Sequence, residues 1–150
     1  MTEGFSIRAA AAADLRAWAA LRMALWPDER DAFGGVAEAL QREDAANFLA
    51  FAGAGYAIGF ADVTLRQDYV NGTDSSPVGF LEGWYVVPEW RGRGVGRALL
   101  RQVQDWTCAQ GCSELASDAL LDDAAAQAAH RACGFEESER VVYFRMSVAD

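Results

Sequence analysis

The most informative part of this sequence is a glycine-rich turn with the residues Pro88-Glu89-Trp90-Arg91-Gly92-Arg93-Gly94-Val95-Gly96-Arg97. The apolar run 78–87 before it has the pattern of a strand, and the segment 94–110 after it has apolar residues at helical spacing. Glycines let the backbone turn sharply and approach a ligand closely. The first N–H groups of a helix are unpaired and lie at the positive end of its dipole. The turn is therefore a candidate pyrophosphate site, with Arg91, Arg93 and Arg97 adding charge.

Two known glycine motifs are alternatives for this turn. A P-loop ends in Gly-Lys-Ser/Thr, whereas Gly96 is followed here by Arg97 and Ala98. A dinucleotide-binding motif follows the first strand of its unit, whereas this turn lies in the middle of the chain. A tight turn that binds no ligand is the third alternative, and the glycines alone do not exclude it.

The remaining apolar pattern predicts a mixed α/β chain. We expect helices at 12–26, 36–46, 94–110 and 124–133, and strands at 5–8, 48–51, 56–65, 78–87, 115–117 and 141–146. The polar loop 67–77 between two strands is long enough to suggest a functional role. No repeat or linker divides the chain, so we expect a single domain over residues 1–150.

The composition limits the classes of partner. The net charge is −9, and an acidic chain is a poor ligand for nucleic acid, so we expect no nucleic-acid partner. No apolar run approaches the roughly 20 residues needed to cross a bilayer, and the N-terminus lacks a secretion signal. We therefore expect a cytoplasmic protein without a membrane partner. The acidity suits a cationic partner, although solubility alone explains it equally well.

No metal site is expected from the sequence. The three cysteines Cys108, Cys112 and Cys133 contain no Cys-x-x-C pair, and the single histidine, His130, is distant from the first two.

Arg91, Gly94 and Gly96 match the pattern Arg/Gln-x-x-Gly-x-Gly/Ala, the signature of the GNAT superfamily of N-acetyltransferases, which the sequence resembles. Within that superfamily it is similar to the aminoglycoside 6'-N-acetyltransferases in the blocks 26–28, 66–72, 74–78, 80–83, 114–118 and 134–141. The resemblance implies an α/β (α+β) fold with a mixed sheet of about six to seven strands and about four helices. It also implies direct acetyl transfer from acetyl-CoA to the 6'-amino group of an aminoglycoside within a ternary complex, and hence aminoglycoside resistance.

The resemblance also implies where acetyl-CoA binds. The pantetheine arm is expected beside the end of the 78–87 strand, and the Val86 N–H is the candidate oxyanion donor. The implied cofactor residues are Trp84, Tyr85, Val86, Arg91, Gly92, Arg93, Gly94, Val95, Gly96, Arg97 and Asp123. The family usually has asparagine and serine where this chain has Asp123 and Ala126, so the glycine turn is expected to carry most of the affinity for the cofactor.

The acceptor side of the site is implied by the same blocks. Glu82 and Asp118 are the expected catalytic residues, and the expected substrate contacts are Trp26, Tyr69, Glu82, Asp118 and Glu139. The sequence itself also supports a cleft position for Glu82, because a glutamate in an apolar strand is costly unless it faces a polar cleft. Asp118 could instead cap a turn, and Trp26 could lie in the core. Which of the two acids takes the proton stays open.

Three further alternatives remain at this point. His130 could protonate the leaving thiolate or hold a structural hydrogen bond. The enzyme could act on another cationic amine, such as a polyamine or a protein lysine, or the chain could bind acyl-CoA without turnover. Relatives are commonly dimers, and apolar residues near 141–144 could supply an interface, so a homodimer is expected.

Overall fold

Five strands form one mixed sheet in the computed structural model, which describes residues 4–149. The sheet order is β1-β2-β3-β4-β5, with antiparallel pairing between the first four strands and parallel pairing of β4 with β5. The strands are β1 Phe5–Ala9, β2 Ala45–Ala52, β3 Ala57–Arg66, β4 Val78–Val86 and β5 Leu115–Ser117. The helices are α1 Leu15–Leu25, α2 Ala32–Gln41, α3 Val95–Ala109 and α4 Ala124–Ala132. The predicted α/β architecture with four helices is therefore confirmed.

Helices cover both faces of the sheet because each face carries its own apolar residues. Helices α1 and α2 pack on one face through a cluster that includes Trp18, Val36, Leu49 and Phe60. Helix α3 packs on the other face through a cluster that includes Ala61, Val63, Leu81, Leu99 and Val103. None of the helices among the described residues is long and apolar enough to cross a membrane.

A β-bulge interrupts β4 at Glu82. Asp62 of β3 pairs with Gly83 and Val63 pairs with Leu81, so Glu82 is an extra residue without a partner on β3. A bulge bends its strand and redirects a side chain. The pairing of β4 with β5 also ends here, since its last pair is Leu81 with Ser117. Strands β4 and β5 therefore separate at Glu82.

Two sequence predictions differ from the structure. The predicted helix 36–46 is α2 at Ala32–Gln41, because Asp31 caps its start through a hydrogen bond from the Gly34 N–H to Oδ1 (2.9 Å). The predicted strand 141–146 is absent, which leaves five strands instead of six to seven. Residues 136–149, here called the C-terminal arm, are exposed and in no helix or strand. A strand needs a neighbour to pair with, and this arm has none among the described residues.

Candidate active site

The glycine turn has the geometry of an anion cradle. Gly92 has φ 77° and Gly94 has φ 87°, in the left-handed region that side chains disfavour. Within the described part of the chain, no atom lies within 4 Å of the place where a Cβ would stand on either glycine. Glycine is therefore required by the backbone conformation and not by crowding. Gly94 is the N-cap of the 15-residue helix α3, and no side chain of residues 4–149 caps that end. The open N-terminus of α3 therefore suits the pyrophosphate of acetyl-CoA.

Three arginines surround the turn, and their contacts are with backbone carbonyls and aromatic rings. Arg91 donates from Nε to the Val86 carbonyl at 2.8 Å, and Arg97 donates from Nη2 to the Ala132 carbonyl at 2.7 Å. Arg93 lies over the Trp90 ring, with its guanidinium carbon 4.8 Å from the centroid. No carboxylate among the described residues forms an ion pair with any of them. The turn therefore retains the positive potential that an anionic ligand requires.

The side chain of Trp84 connects β4 to the turn and to α4. Its indole N–H donates to the Gly96 carbonyl at 3.0 Å, and the His130 ring lies edge-on at 5.3 Å. His130 Nδ1 is 2.6 Å from the Ala126 carbonyl, and Nε2 is 2.8 Å from the Ser117 hydroxyl. A carbonyl only accepts, so Nδ1 carries a hydrogen. Both ring nitrogens are engaged within the protein, which favours the structural alternative for His130.

Asp123 begins helix α4. Its Oδ1 accepts a hydrogen bond from the Ala126 N–H at 3.0 Å, as an N-cap aspartate does. This bond commits one carboxylate oxygen to the helix, and the contact of Asp123 with the cofactor stays a prediction.

A polar cleft of about 400 Å³ lies between α1, α2 and strands β2 to β4. On this face of the sheet the apolar pair Leu49 and Phe60 is followed along the strands by the buried pair Asn47 and Asp62. The sheet therefore presents polar groups to the cleft. The charged and aromatic side chains that line it are Arg22, Trp26, Glu38, Arg42, Asp62 and Glu82.

Glu82 is held in place by residues of β3. Its Oε1 accepts from the Thr64 hydroxyl at 2.7 Å and from Arg66 Nη2 at 2.9 Å and Nε at 3.2 Å. Within residues 4–149, Oε2 accepts only from Arg66 Nη2, at 3.0 Å. The Arg66 guanidinium also lies over the Phe80 ring at 3.6 Å. Because a carboxylate has about four acceptor sites, Oε2 retains capacity for another donor.

Trp26 follows the last residue of α1 and reaches the sheet over Gly83. A Cβ on Gly83 would lie 2.6 Å from Trp26 Cη2 and 2.9 Å from Phe60 Cε2. The absence of a side chain at position 83 therefore makes room for the indole. Trp26 and Glu82 are the two predicted substrate residues that the structure brings together in the cleft.

The other predicted substrate residues lie outside the lining of the cleft. Tyr69 is 73% exposed in the loop 67–77, and Asp118 is exposed directly after β5. Glu139 lies in the C-terminal arm beside the loop, with Cγ 3.8 Å from the position of a Cβ on Gly72. The substrate contacts of these three residues therefore rest on the resemblance to the family and not on the lining of the cleft.

Glu114, next to β5, anchors the loop that carries Tyr69. It accepts a hydrogen bond from the Asp74 N–H at 2.9 Å and another from the Ser75 hydroxyl. The Ser75 hydroxyl and the Asp74 N–H hold the pKa of Glu114 below its usual range. The ionised carboxylate of Glu114 is therefore the form that anchors the loop.

Asp62 is a buried acid that the sequence predictions did not include. It is 6% exposed, and its Oδ2 has no hydrogen-bond partner among the described residues. The Asn47 amide is best satisfied when its nitrogen donates to Asp62 Oδ1 at 2.9 Å. Burial raises the pKa of Asp62 to about 7, against the opposing effect of the Arg22 guanidinium, whose Nη1 lies 3.8 Å from Oδ2. An acid within the apolar run 56–65 is a signal equal to that of Glu82.

Asp62→Asn is expected to stabilise the protein at alkaline pH. Between about pH 4 and pH 7 the folded protein holds a proton on Asp62 that the unfolded chain has lost, so this group makes the free energy of unfolding fall as pH rises. Asparagine removes the buried charge. We expect a gain of about 1–2 kcal/mol at pH 8, less than the linkage limit of roughly 4 kcal/mol, because the new amide also needs partners.

Urea unfolding at pH 8 and at pH 5 measures this effect. The difference between variant and wild type should shrink at pH 5, where the folded wild type is protonated. An equal difference at both pH values would contradict the assignment.

Comparison with known proteins agrees with this geometry. The model of the acetyltransferase (GNAT) family matches residues 12–135. The chain is 62% identical over 141 residues to an aminoglycoside N(6')-acetyltransferase type 1 of Stenotrophomonas maltophilia, with 94% of this chain and 92% of that protein covered.

Solved structures give the same result. The crystal structure of the aminoglycoside antibiotic 6'-N-acetyltransferase AAC(6')-Ih from Acinetobacter baumannii has a TM-score of 0.93 and 39% identity, covering 97% of this chain and 100% of that chain. AAC(6')-Iy in complex with the bisubstrate analog CoA-S-monomethyl-acetylneamine has a TM-score of 0.90 and 46% identity, covering 96% and 99%. The family model spans most of the chain, and these relatives cover nearly all of it. The chain belongs to the GNAT family of acetyltransferases, in the branch of the aminoglycoside 6'-N-acetyltransferases.

Proposed function

We propose that this protein transfers the acetyl group of acetyl-CoA to the 6'-amino group of aminoglycosides, by direct attack in a ternary complex, and so confers aminoglycoside resistance. The observation that carries the proposal is the bulge in β4 at Glu82. The bulge directs the Glu82 carboxylate toward the polar cleft, while the same strand leads through Val86 to the glycine turn. One strand thus connects a site for a cationic acceptor to a site for an anionic donor.

Residues of this chain have four proposed roles in binding and activating the acetyl donor. Acetyl-CoA supplies an activated thioester when it is bound. The turn 91–97 would hold its pyrophosphate through backbone N–H groups, and the main chain of Trp84, Tyr85 and Val86 would bond the pantetheine arm. The Val86 N–H would support the developing oxyanion, and one such donor is typically worth about 10²–10³ in rate. Arg91 fixes this end of β4 through its bond to the Val86 carbonyl.

The acceptor side must bind a cation and present it as a neutral amine. The free capacity of Glu82 Oε2 can accept a hydrogen bond from an ammonium group, and Trp26 offers an aromatic face beside it. Asp118, at the point where β4 and β5 separate, is proposed as the second carboxylate, and Tyr69 and Glu139 as further contacts of the sugar. Positioned general-base help is typically worth about 10²–10⁴-fold.

A thiol-release assay tests the proposed function. Purified protein with acetyl-CoA should release free thiol with tobramycin and kanamycin, both of which carry a 6'-amino group. Release with polyamines or lysine peptides but with no aminoglycoside would contradict the proposed acceptor, while the acetyltransferase activity would stand. Binding of acetyl-CoA without turnover of any amine would overturn catalysis.

Gly94→Ala is expected to weaken acetyl-CoA binding by about tenfold. Alanine at φ 87° costs roughly 1–2 kcal/mol in the left-handed region, so the turn should relax and move its N–H groups. Titration calorimetry with CoA measures the affinity. Gly53→Ala is the matched control, because its nearest neighbour would be 3.6 Å away and its φ is not in that region. Unchanged CoA affinity in Gly94→Ala would contradict the role of the turn.

We propose further that the protein is a cytoplasmic homodimer whose chain acts as one domain. The C-terminal arm exposes apolar side chains at Val142 (72%), Tyr143 (84%) and Phe144 (91%), which a second copy would cover. The three cysteines are free, as expected in a reducing compartment. Sedimentation should give twice the chain mass of 16.2 kDa. A monomer at micromolar concentration would contradict the dimer.

A further inference from the structure

The floor of the polar cleft holds an acid for which the proposed chemistry gives no role. Asp62 lines the cleft with Trp26 and Glu82, yet its side chain is almost completely buried. Asn47 satisfies Oδ1, whereas Oδ2 forms no hydrogen bond among the described residues, and neither does the indole N–H of Trp18, a side chain that favours the ionised form of Asp62. Buried polar atoms are nearly always paired, and an exception in a cleft is a candidate for function. Burial raises the pKa of this acid, so its ionisation opposes folding at neutral pH and above, and a purely structural role explains it poorly.

The cations around the cleft are committed to other acids. Arg22 of α1 donates from Nε to Glu29 at 3.1 Å, and it reaches Asp62 only at 3.8 Å. Arg66 binds Glu82, and Arg42 at the end of α2 binds Asp44 at 2.9 Å.

The uncommitted charges of the cleft are therefore negative. Glu38 of α2 is exposed in the lining and has no ion pair within the described part of the chain. Glu82 and Glu29 oppose the ionisation of Asp62, whereas Arg22 and the nearby Trp18 favour it. Asp62 thus lacks a strong counter-ion of its own.

We propose that Asp62 is a further positioning residue of the acceptor cleft, and that a polycationic acceptor, by supplying the missing positive charge, drives its carboxylic acid to ionise. The inference rests on the proposed function, because the acceptor is the cation. The O–H bond of the carboxylic acid breaks and its proton passes to the solvent. If the acceptor favours the carboxylate, the carboxylate favours the acceptor by the same factor, since coupling between two binding events is reciprocal.

Carbon-13 NMR of labelled aspartate side chains tests the ionisation directly in the wild-type protein. The Asp62 carboxyl signal, assigned by its loss in Asp62→Asn, is titrated with CoA present, first alone and then with saturating tobramycin. We expect the midpoint of about pH 7 to fall by at least one pH unit with tobramycin. An unmoved midpoint would overturn the proposal. Spermidine serves as a second cation, so the test does not depend on tobramycin being a substrate.

Steady-state kinetics separate positioning from a structural role. At pH 8 Asp62→Asn should raise KM for tobramycin by about tenfold, with kcat within twofold and KM for acetyl-CoA unchanged. The effect on KM should largely disappear at pH 5.5, where Asp62 is protonated in the empty cleft. Asp105→Asn, an exposed position on α3 that removes the same formal charge, is the control. If the wild type turns over tobramycin and Asp62→Asn has the same KM, this inference alone is contradicted. If the wild type does not turn over tobramycin, the proposed function is contradicted.

Discussion

Replacing Glu82 with glutamine is expected to lower kcat/KM for the acceptor by about 100-fold. The glutamine keeps the size of the side chain and can still accept from the Thr64 hydroxyl, but it removes the charge that balances Arg66. The local charge then changes from about zero to about +1 at the place where a cationic acceptor must bind. At about 5 Å and an effective dielectric constant near 20, one unit charge changes the binding energy of a cation by roughly 3 kcal/mol. Initial rates with tobramycin, together with KM for acetyl-CoA, measure the effect.

A double variant shows which part of the loss is charge balance. Adding Arg66→Met to Glu82→Gln removes the unpaired cation, and we expect it to restore about tenfold of the lost kcat/KM. Recovery to the wild-type value would mean that Glu82 only neutralises Arg66 and does not contact the amine. Glu136→Gln, an exposed acid outside the cleft, controls for the change in net charge.

The glycine turn is predictable from sequence because its determinants are local. Gly92 and Gly94 adopt a backbone conformation that few other residues tolerate, and α3 begins directly after them. The position of the turn between β4 and α3 follows from the periodicity of the neighbouring residues alone. Its role as a cofactor site remains a proposal, although the uncapped helix and the three arginines support it.

Glu82 is only partly predictable. The cost of an acid in an apolar strand indicates that it faces a polar cleft, and the structure confirms that placement. The bulge that turns it there depends on the register of β3 against β4, and its partner Arg66 lies 16 residues away in sequence. Such cross-strand contacts leave no local pattern. Asp62 carries the same local signal as Glu82, because it too is an acid within an apolar strand.

The C-terminal arm shows the opposite limit. The strand predicted from the apolar residues at 141–146 is wrong, because a strand forms only where a neighbour offers backbone partners. β5 has three residues and stands at the edge of the sheet, and the arm does not pair with it. The apolar pattern of a segment therefore does not by itself determine whether a strand forms.

Gly83→Ala is expected to lower the free energy of unfolding by roughly 3 kcal/mol, at the upper end of the usual cost of overpacking. The added methyl group would stand 2.6 Å from Trp26 Cη2 and 2.9 Å from Phe60 Cε2, so both rings must shift. Phe60 is fully buried and has little freedom to move, and we therefore expect Trp26 to leave the sheet. Its displacement should raise KM for the acceptor by about tenfold. Urea unfolding and initial rates measure the two effects.

Shortening the ring separates packing from recognition at this position. Trp26→Phe removes the atom closest to the new methyl group, so the double variant with Gly83→Ala should recover most of the lost stability. It should not recover the acceptor KM, because the phenyl ring is smaller and cannot cover the same part of the cleft. Recovery of both would show that Trp26 only fills space, whereas recovery of neither would show that Phe60 and not Trp26 takes the strain. Substitutions at Gly83, which pairs with Asp62, therefore test whether Trp26 recognises the acceptor.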